Sequence, residues 1–331
     1  MPVVEIEDLG AFHCGDDDTV MRAALRAGVA FPYACNTGSC GNCRFQLVSG
    51  RIEHRRPDAP AWNDRDRARG RWLGCQARPL DDCRIRVRPS KDGPPLHRPT
   101  RMRVTMTDVV PVSHDISEFT FSLDGPDAFL PGQYALFQLD GVEGPRAYSM
   151  CNLPGTGEWR FQVKRVPGGA ATGVLFDSLR PGAHVALDGP YGHGYLRPEE
   201  PGDLLLVAGG SGLSPMLSIA RAAAADPVLS QRTIRFFYGG RRPEDLCAER
   251  HLRTLAGFGR SIVLVDAVSE PVAGWNGLQG FVHEVVRECL GDRIPGHEAY
   301  FAGPPPMVQA MQRMLYEAGL EPDRMHFDEF F

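Results

Sequence analysis

Three of the nine cysteines in this 331-residue chain crowd together, and their spacing is the strongest chemical signal it carries. Cys35-Asn-Thr-Gly-Ser-Cys40-Gly-Asn-Cys43 is a C-x4-C-x2-C run, and Cys75 follows in Arg71-Trp-Leu-Gly-Cys75-Gln. This is plant-type 2Fe–2S spacing, in which four thiolates converge on two irons and the loop wraps tightly around the sulfides. Gly38 and Gly41 allow positive φ and let backbone amides face a negative cluster. Zinc is the other metal that clustered thiolates hold. It favours paired C-x2-C or Cys/His knuckles, and here the fourth cysteine has no close sequence partner, so an iron–sulfur centre is expected. Cys14, Cys83, Cys151, Cys247 and Cys289 are dispersed and read as small buried hydrophobes.

Two further groups of residues suit phosphates and flat rings. In Arg146-Ala-Tyr148-Ser149-Met150, an arginine at a strand end offers charge-assisted bonds to a phosphate. Tyr148 lies two residues along, on the same face, where its ring can stack on an isoalloxazine, and the Ser149 hydroxyl can reach a ring nitrogen. Val163-Lys164 precede Gly168-Gly169-Ala-Ala171-Thr172-Gly, a turn that opens a helix whose N-terminus can hold a pyrophosphate. Further on, Leu204–Ala208 reads as a strand, followed by Gly209-Gly210-Ser211-Gly212 and a helix with Pro215 in its first turn. This differs from G-x-G-x-x-G, so the common dinucleotide fingerprint is not claimed. After the next strand, Tyr238-Gly-Gly-Arg241-Arg242-Pro-Glu-Asp245 puts two arginines where dinucleotides are selected.

The elements that must position these groups fall into three textures. Residues 1–92 begin with short strands (Val3–Ile6, Phe12–Cys14). Asp16–Asp18 are available to N-cap a helix to about Ala27, and strands near 44–48 and 84–87 follow. Asp92-Gly-Pro-Pro-Leu-His-Arg-Pro99 is a break that makes 93–99 a linker. Residues 100–198 alternate in short runs such as Glu118–Ser122 and Trp159–Val163, the pattern of an antiparallel β-barrel. Residues 199–331 alternate strand and helix, with helices expected at 214–224, 243–255, 281–290 and 304–318. That is a doubly wound α/β sheet. Charge is nearly balanced at −5, too slight to imply nucleic acid or an anionic membrane as a partner. No apolar run reaches the ~18 residues of a membrane span, and no secretory segment is recognisable, so the expectation is a cytoplasmic protein.

Phe31-Pro-Tyr-Ala-Cys35 through Cys43, with Leu73-Gly-Cys75-Gln, resembles the ferredoxin module of the iron–sulfur flavoprotein reductases that serve bacterial multicomponent oxygenases. These are the reductases of the phenol hydroxylase, toluene monooxygenase and ring-hydroxylating dioxygenase type, within the ferredoxin–NAD(P) reductase superfamily. Arg146-Ala-Tyr148-Ser149 resembles the superfamily's R-x-Y-S flavin signature, and Gly168–Thr172 its G-G-x-x-S loop with threonine in the serine place. Asp188-Gly-Pro-Tyr-Gly192 also matches a recurring family loop. Gly209–Pro215 resembles G-G-x-G-x-x-P, and Ala302-Gly303-Pro304-Pro-Pro-Met307 resembles C-G-P-x-x-M with Ala302 in place of the cysteine.

The resemblance implies a β-grasp ferredoxin domain (1–92), an FAD barrel (100–198) and an NAD domain (199–331). It assigns the cluster to Cys35, Cys40, Cys43 and Cys75, and FAD to Arg146, Tyr148, Ser149, Val163, Lys164, Gly169, Ala171 and Thr172. The dinucleotide falls to Gly209, Gly210, Ser211, Gly212, Tyr238, Arg241, Gly303, Pro304 and Met307. Tyr148, Ser149 and a C-terminal aromatic, Phe330 in preference to Phe331, would flank the reacting rings; plain core packing is the other reading of that aromatic. NADH is favoured over NADPH because relatives with a similar Y-G-x-R-x-x-x-D-L stretch use NADH. The implied activity, in aromatic hydrocarbon catabolism, passes electrons from NADH through FAD and the cluster to a terminal oxygenase or its intermediate ferredoxin, from a monomer. Neither Cys-x-His nor Glu-x-x-His occurs, so no Rieske or di-iron motif for activating oxygen is present. A reductase of the same architecture serving a deoxysugar dehydratase is the alternative, and a non-catalytic redox-sensing binding protein is the rival of another class.

Overall fold

A computed structural model describes residues 1–270 and 273–330. In the first unit, Val3–Ile6 and Gly10–His13 form a hairpin whose Val4, Ile6 and Phe12 point inward. The strand order is Gly10–His13, Val3–Ile6, Cys83–Arg86, Arg44–Ser49, Arg71–Leu73, and only the Val3–Ile6/Cys83–Arg86 pair is parallel. The longer of its two helices, Val20–Arg26, buries Val20, Met21, Ala24 and Leu25 in the core beside this sheet, which makes the unit a β-grasp. Its capping differs from expectation. Thr19 holds the N-cap position without a side-chain cap bond. Asp18 instead accepts from the Thr19 amide and is ion-paired to Arg26 (2.9 Å) and Arg101 (3.0 Å), because the barrel surface reaches it.

Six strands make the second unit, in the order Arg146–Ser149, Tyr134–Gln138, His184–Tyr191, Thr100–Pro111, Ile116–Ser122, Glu158–Lys164. All neighbours are antiparallel. Met150 bridges to Phe161, and the Cys151 amide donates to the Arg160 carbonyl (2.8 Å), which closes the sheet into a barrel. Alternate residues face in, and Phe137 packs edge-on against Phe121 (5.4 Å) and Phe161 (4.8 Å).

The third unit is a parallel sheet in the order Leu278–Gln279, Ile262–Val268, Ile234–Gly240, Asp203–Gly209, His297–Gly303, Met325–Glu329. Every residue from Leu204 to Ala208 is fully buried, because both faces of the strand are covered. Leu204, Leu206 and Ala208 pack with the helix Leu213–Ala225, while Leu205 and Val207 pack with Val282–Leu290 and Pro305–Glu317. Strand order reverses between Asp203–Gly209 and His297–Gly303, which opens a crevice at their C-terminal ends.

The helix expected over 243–255 is broken into a 3-10 turn, Pro243–Asp245, and a short helix, Glu249–Leu252. The Asp245 carboxylate accepts from the amides of Arg241 and Arg242 (2.9 Å each) and so folds this segment back onto the strand end. Among the described residues, no helix is long and apolar enough to cross a membrane.

Candidate functional site

The cysteine loop is built as its spacing requires. Gly38 and Gly41 take φ of +86° and +80°, and the buried Asn36 takes +59°. Arg22, buried on the helix, holds Asn36 in that conformation through its side-chain oxygen (2.9 Å) and its carbonyl (3.1 Å). The thiols form two pairs, as two irons with two thiolates each demand: Cys40 bonds to Cys35, and Cys43 and Cys75 lie 3.4 Å apart. The amides of Thr37 and Cys40 point at the Cys35 sulfur (3.5 and 3.3 Å), and that of Asn42 at Cys40 (3.5 Å). The Cys40 thiol first, then the amides of Thr37 and Cys40, draw the Cys35 thiol down to about 5 against the opposing effect of burial. Convergent sulfurs with donors aimed at them fit an anionic cluster. The remaining cysteines are buried, apart from the half-buried Cys289.

From this loop a continuous cleft of about 2440 Å³ runs along the barrel to the crevice of the parallel sheet. Cys35, Arg146, Tyr148, Ser149, Gly210 and Phe330 all line it. Tyr148 stands edge-on to Phe137 (5.0 Å), and burial pushes its phenol up to about 12, so the ring offers a neutral apolar face. Arg146 is exposed, and its guanidinium donates to the carbonyls of Glu143 (3.0 Å) and Gly144 (3.2 Å) in its own loop. Lys164 lines the cleft and pairs with Asp115 (2.8 Å). Gly169 and Ala171 also form its wall.

Two assignments on this wall change. Val163 is 1% exposed and turned into the barrel core, since the strand's period of two sends its side chain away from the face of Lys164. Thr172 borders the cleft, yet its hydroxyl lies 3.2 Å from the carbonyls of Val166 and Gly169, donating its one proton between them, and accepts from the Val166 amide, so it shapes the loop. The turn it closes leads into only one α-helical turn, Ala170–Gly173, and then a π-helical one, Val174–Ser178.

At the dinucleotide crevice, Gly209, Gly210, Ser211, Tyr238, Arg241, Pro304 and Met307 line the wall. Gly212 and Gly303 do not. A Cβ on Gly212 would lie 2.0 Å from the Ala302 carbonyl, so this glycine serves close helix–strand packing. Gly303 is buried, and its carbonyl accepts from the Phe330 amide (3.0 Å), which brings Phe330 to the cleft. Ala302, in the family's cysteine position, is fully buried in the core on the Leu213–Ala225 side. The alternative aromatic, Phe331, lies outside the described residues.

The residues that join the units were not found by motif. Ser214, Ser218 and Arg221 fall on one face of the Leu213–Ala225 helix and bond to barrel carbonyls: Ser214 to Ser149 (2.7 Å), Ser218 to Asn152 (2.8 Å) and Arg221 to Cys151. Their i, i+4, i+7 spacing within an Ala- and Leu-rich helix was the available signal. Arg26 grips Asp188 with two bonds of 2.7 Å, tying the ferredoxin helix to the barrel.

Paired thiols, a cleft along the barrel wall and a Gly-lined crevice on one path are the arrangement of an iron–sulfur flavoprotein oxidoreductase. Residues 5–80 match the 2Fe-2S iron-sulfur cluster binding domain, 103–195 the oxidoreductase FAD-binding domain and 206–313 the oxidoreductase NAD-binding domain. The chain is 38% identical to a ferredoxin–NAD(P)(+) reductase of Metapseudomonas resinovorans, over 99% of both chains. It is 36% identical to the ferredoxin–NAD(+) reductase component of the Xanthobacter autotrophicus alkene monooxygenase system, over 99% of this chain and 100% of that one. The phenol 2-monooxygenase reductase component of a Pseudomonas species is 34% identical, over 98% and 92%. The solved ferredoxin reductase in carbazole 1,9a-dioxygenase superposes with a TM-score of 0.91 at 35% identity, over 100% and 98%. The chain therefore belongs to the family of NAD(P)H-dependent ferredoxin reductase components that carry 2Fe–2S, FAD and NAD domains.

Proposed function

We propose that this chain is the NADH-oxidising component of a multicomponent mono- or dioxygenase, delivering electrons to the terminal oxygenase or to its intermediate ferredoxin. The observation that carries this reading is the single cleft that joins the Gly-rich crevice, the Tyr148–Ser149 strand and the cysteine loop. FAD held along the Tyr148–Ser149 strand would supply the conversion of two-electron hydride chemistry to single electrons, and a cluster held by Cys35, Cys40, Cys43 and Cys75 would supply one-electron transfer. The chain's own residues supply position and shielding. Tyr148 gives a stacking face, Ser149 a hydroxyl at the ring, Arg146 and the Gly168–Thr172 turn a phosphate seat, and Phe330 a cover over the crevice.

NADH over NADPH rests on the charge at the adenosine end. Arg242 is paired with Glu270 (3.1 Å) and stands beside Glu244 (3.9 Å), whereas Arg241 has no ion-pair partner among the described residues. A 2′-phosphate brought there meets two carboxylates, whereas a ribose hydroxyl can donate to one. The decisive experiment combines iron, labile-sulfide and flavin assays with anaerobic titration by each dinucleotide. Two irons, two sulfides and one FAD per chain, with bleaching by NADH well ahead of NADPH, are expected. Zinc in place of iron, or preference for NADPH, overturns the corresponding part.

A further inference from the structure

Two phenols cross the seam between ferredoxin unit and barrel in opposite directions. Tyr33, two residues before Cys35, accepts from the Gly192 amide of the barrel (3.0 Å). Tyr134 of the barrel donates to the Ala34 carbonyl of the ferredoxin unit (2.5 Å). Both rings are buried and pack against Tyr191, at 6.1 and 6.0 Å. The two bonds look equivalent, but they end in different places. Ala34 is joined by its peptide bond to Cys35, and on the other side Tyr134 is the strand partner of Ser149. Tyr134 therefore touches the neighbour of a cluster ligand with its side chain and stands directly opposite the flavin-facing residue in the antiparallel strand pair.

We infer that Tyr134 is the positioning residue that registers the cysteine loop against the flavin-facing strand, and that Ser149–Tyr134–Ala34–Cys35 is the route of electronic coupling between the two redox centres. This rests on the flavin seat proposed above. Gross docking of the two units does not depend on this hydroxyl. Arg26 with Asp188, and Arg101 with Asp17 and Asp18, already tie the seam with charge-assisted bonds. The hydroxyl instead fixes one peptide, that of Cys35. Burial raises the Tyr134 phenol well above its ordinary range, so it stays a neutral donor to the carbonyl. In the transfer it supports, one electron from reduced flavin converts one ferric ion to ferrous, and Tyr134 keeps its proton and its oxidation state.

The test compares Tyr134→Phe with Tyr33→Phe, each of which removes one hydroxyl and one bond from the same seam. Flavin reduction by NADH is followed in a rapid-mixing spectrometer and cluster reduction by freeze-quench EPR. Amide hydrogen exchange over residues 35–43 gives a readout independent of turnover. Tyr134→Phe is expected to keep its FAD and its rate of flavin reduction, to slow cluster reduction severalfold and to speed exchange in the cysteine loop. Tyr33→Phe is expected to leave cluster reduction near wild type. Equal slowing in both variants, or slowing in neither, overturns the route. Loss of FAD from Tyr134→Phe reassigns the hydroxyl to flavin binding and also overturns it. Ser149→Ala tests the premise separately: an unchanged flavin spectrum and rate there removes the seat, and the route with it.

Discussion

Cys40 shows how much one side chain decides. It is half-buried at the loop rim and hydrogen-bonded to Cys35, so it closes one of the two thiolate pairs. Cys40→Ser is expected to abolish cluster assembly, read as iron content, and reduction of the natural partner, while NADH-driven ferricyanide reduction largely persists. Loss of both activities at equal FAD content would contradict the electron order. Asp328 makes a second prediction. It lies on the last strand, opposite Gly194, where a Cβ would sit 3.4 Å from the carboxylate, and burial pushes its carboxyl up to about 7. In the unfolded chain it ionises near ~3.9. From about pH 4 to 7 the folded state therefore holds a proton that the unfolded state has released. The group's contribution to stability is full below that window and is lost as pH rises through it. Asp328→Asn is expected to remove this loss, so that its advantage in Tm over wild type grows across the window. Parallel Tm curves would show that the carboxyl is already ionised in the fold.

The Leu213–Ala225 helix works at the scale of an element. Its first turn continues the Gly209–Gly212 loop, and its polar stripe seats it on the strand that carries Ser149. Ser214 also accepts from the Gln162 amide (3.2 Å), so one buried hydroxyl bridges two barrel strands and the dinucleotide domain. Replacing Ser214 and Ser218 together by alanine leaves the carbonyls of Ser149 and Asn152 without these donors. Each such buried group costs about 1–3 kcal/mol. Ser214→Ala/Ser218→Ala is expected to lower the urea midpoint accordingly and to slow flavin reduction by NADH more than it weakens FAD retention. An unchanged midpoint would mean that water replaces the hydroxyls.

At the scale of the whole molecule, charge is unevenly shared. Residues 1–92 carry 15 Lys and Arg against 13 Asp and Glu, while the chain as a whole is −5. Of the arginines between 51 and 71, Arg51, Arg56 and Arg67 are ion-paired with Asp81, Asp58 and Asp64. Arg55 donates to the Asp16 carbonyl and lines the cleft. Arg65, Arg69 and Arg71 are exposed and have no ion-pair partner among the described residues. If they steer an acidic acceptor, electron delivery slows as salt shortens the screening length toward ~8 Å. The triple reversal Arg65→Glu/Arg69→Glu/Arg71→Glu is expected to slow reduction of the natural partner and to spare a neutral quinone reduced at the flavin. Partner turnover indifferent to both salt and reversal would leave these arginines as solvated surface.

The cysteine spacing, the glycines at positive φ and the Leu204–Ala208 strand were legible in the sequence, because each is a local demand of covalent geometry or of period. The barrel and the parallel α/β sheet followed from their textures, while the cofactors followed from the cysteine spacing and from motifs that resemble those of the family. The break in 243–255 was not legible, since a helical pattern does not reveal that Asp245 binds the amides of Arg241 and Arg242. Nor was the inward turn of Val163, the loop-closing bonds of Thr172, or the packing role of Gly212 against Ala302. The residues that join the units were hidden most deeply. Tyr134 meets Ala34 across 100 positions, and Ser214 meets Ser149 across 65. Motifs report chemistry held within a few residues of chain, where spacing alone sets distance. Which hydroxyl reaches which carbonyl depends on how the three units pack against one another, and only the tertiary structure decides that.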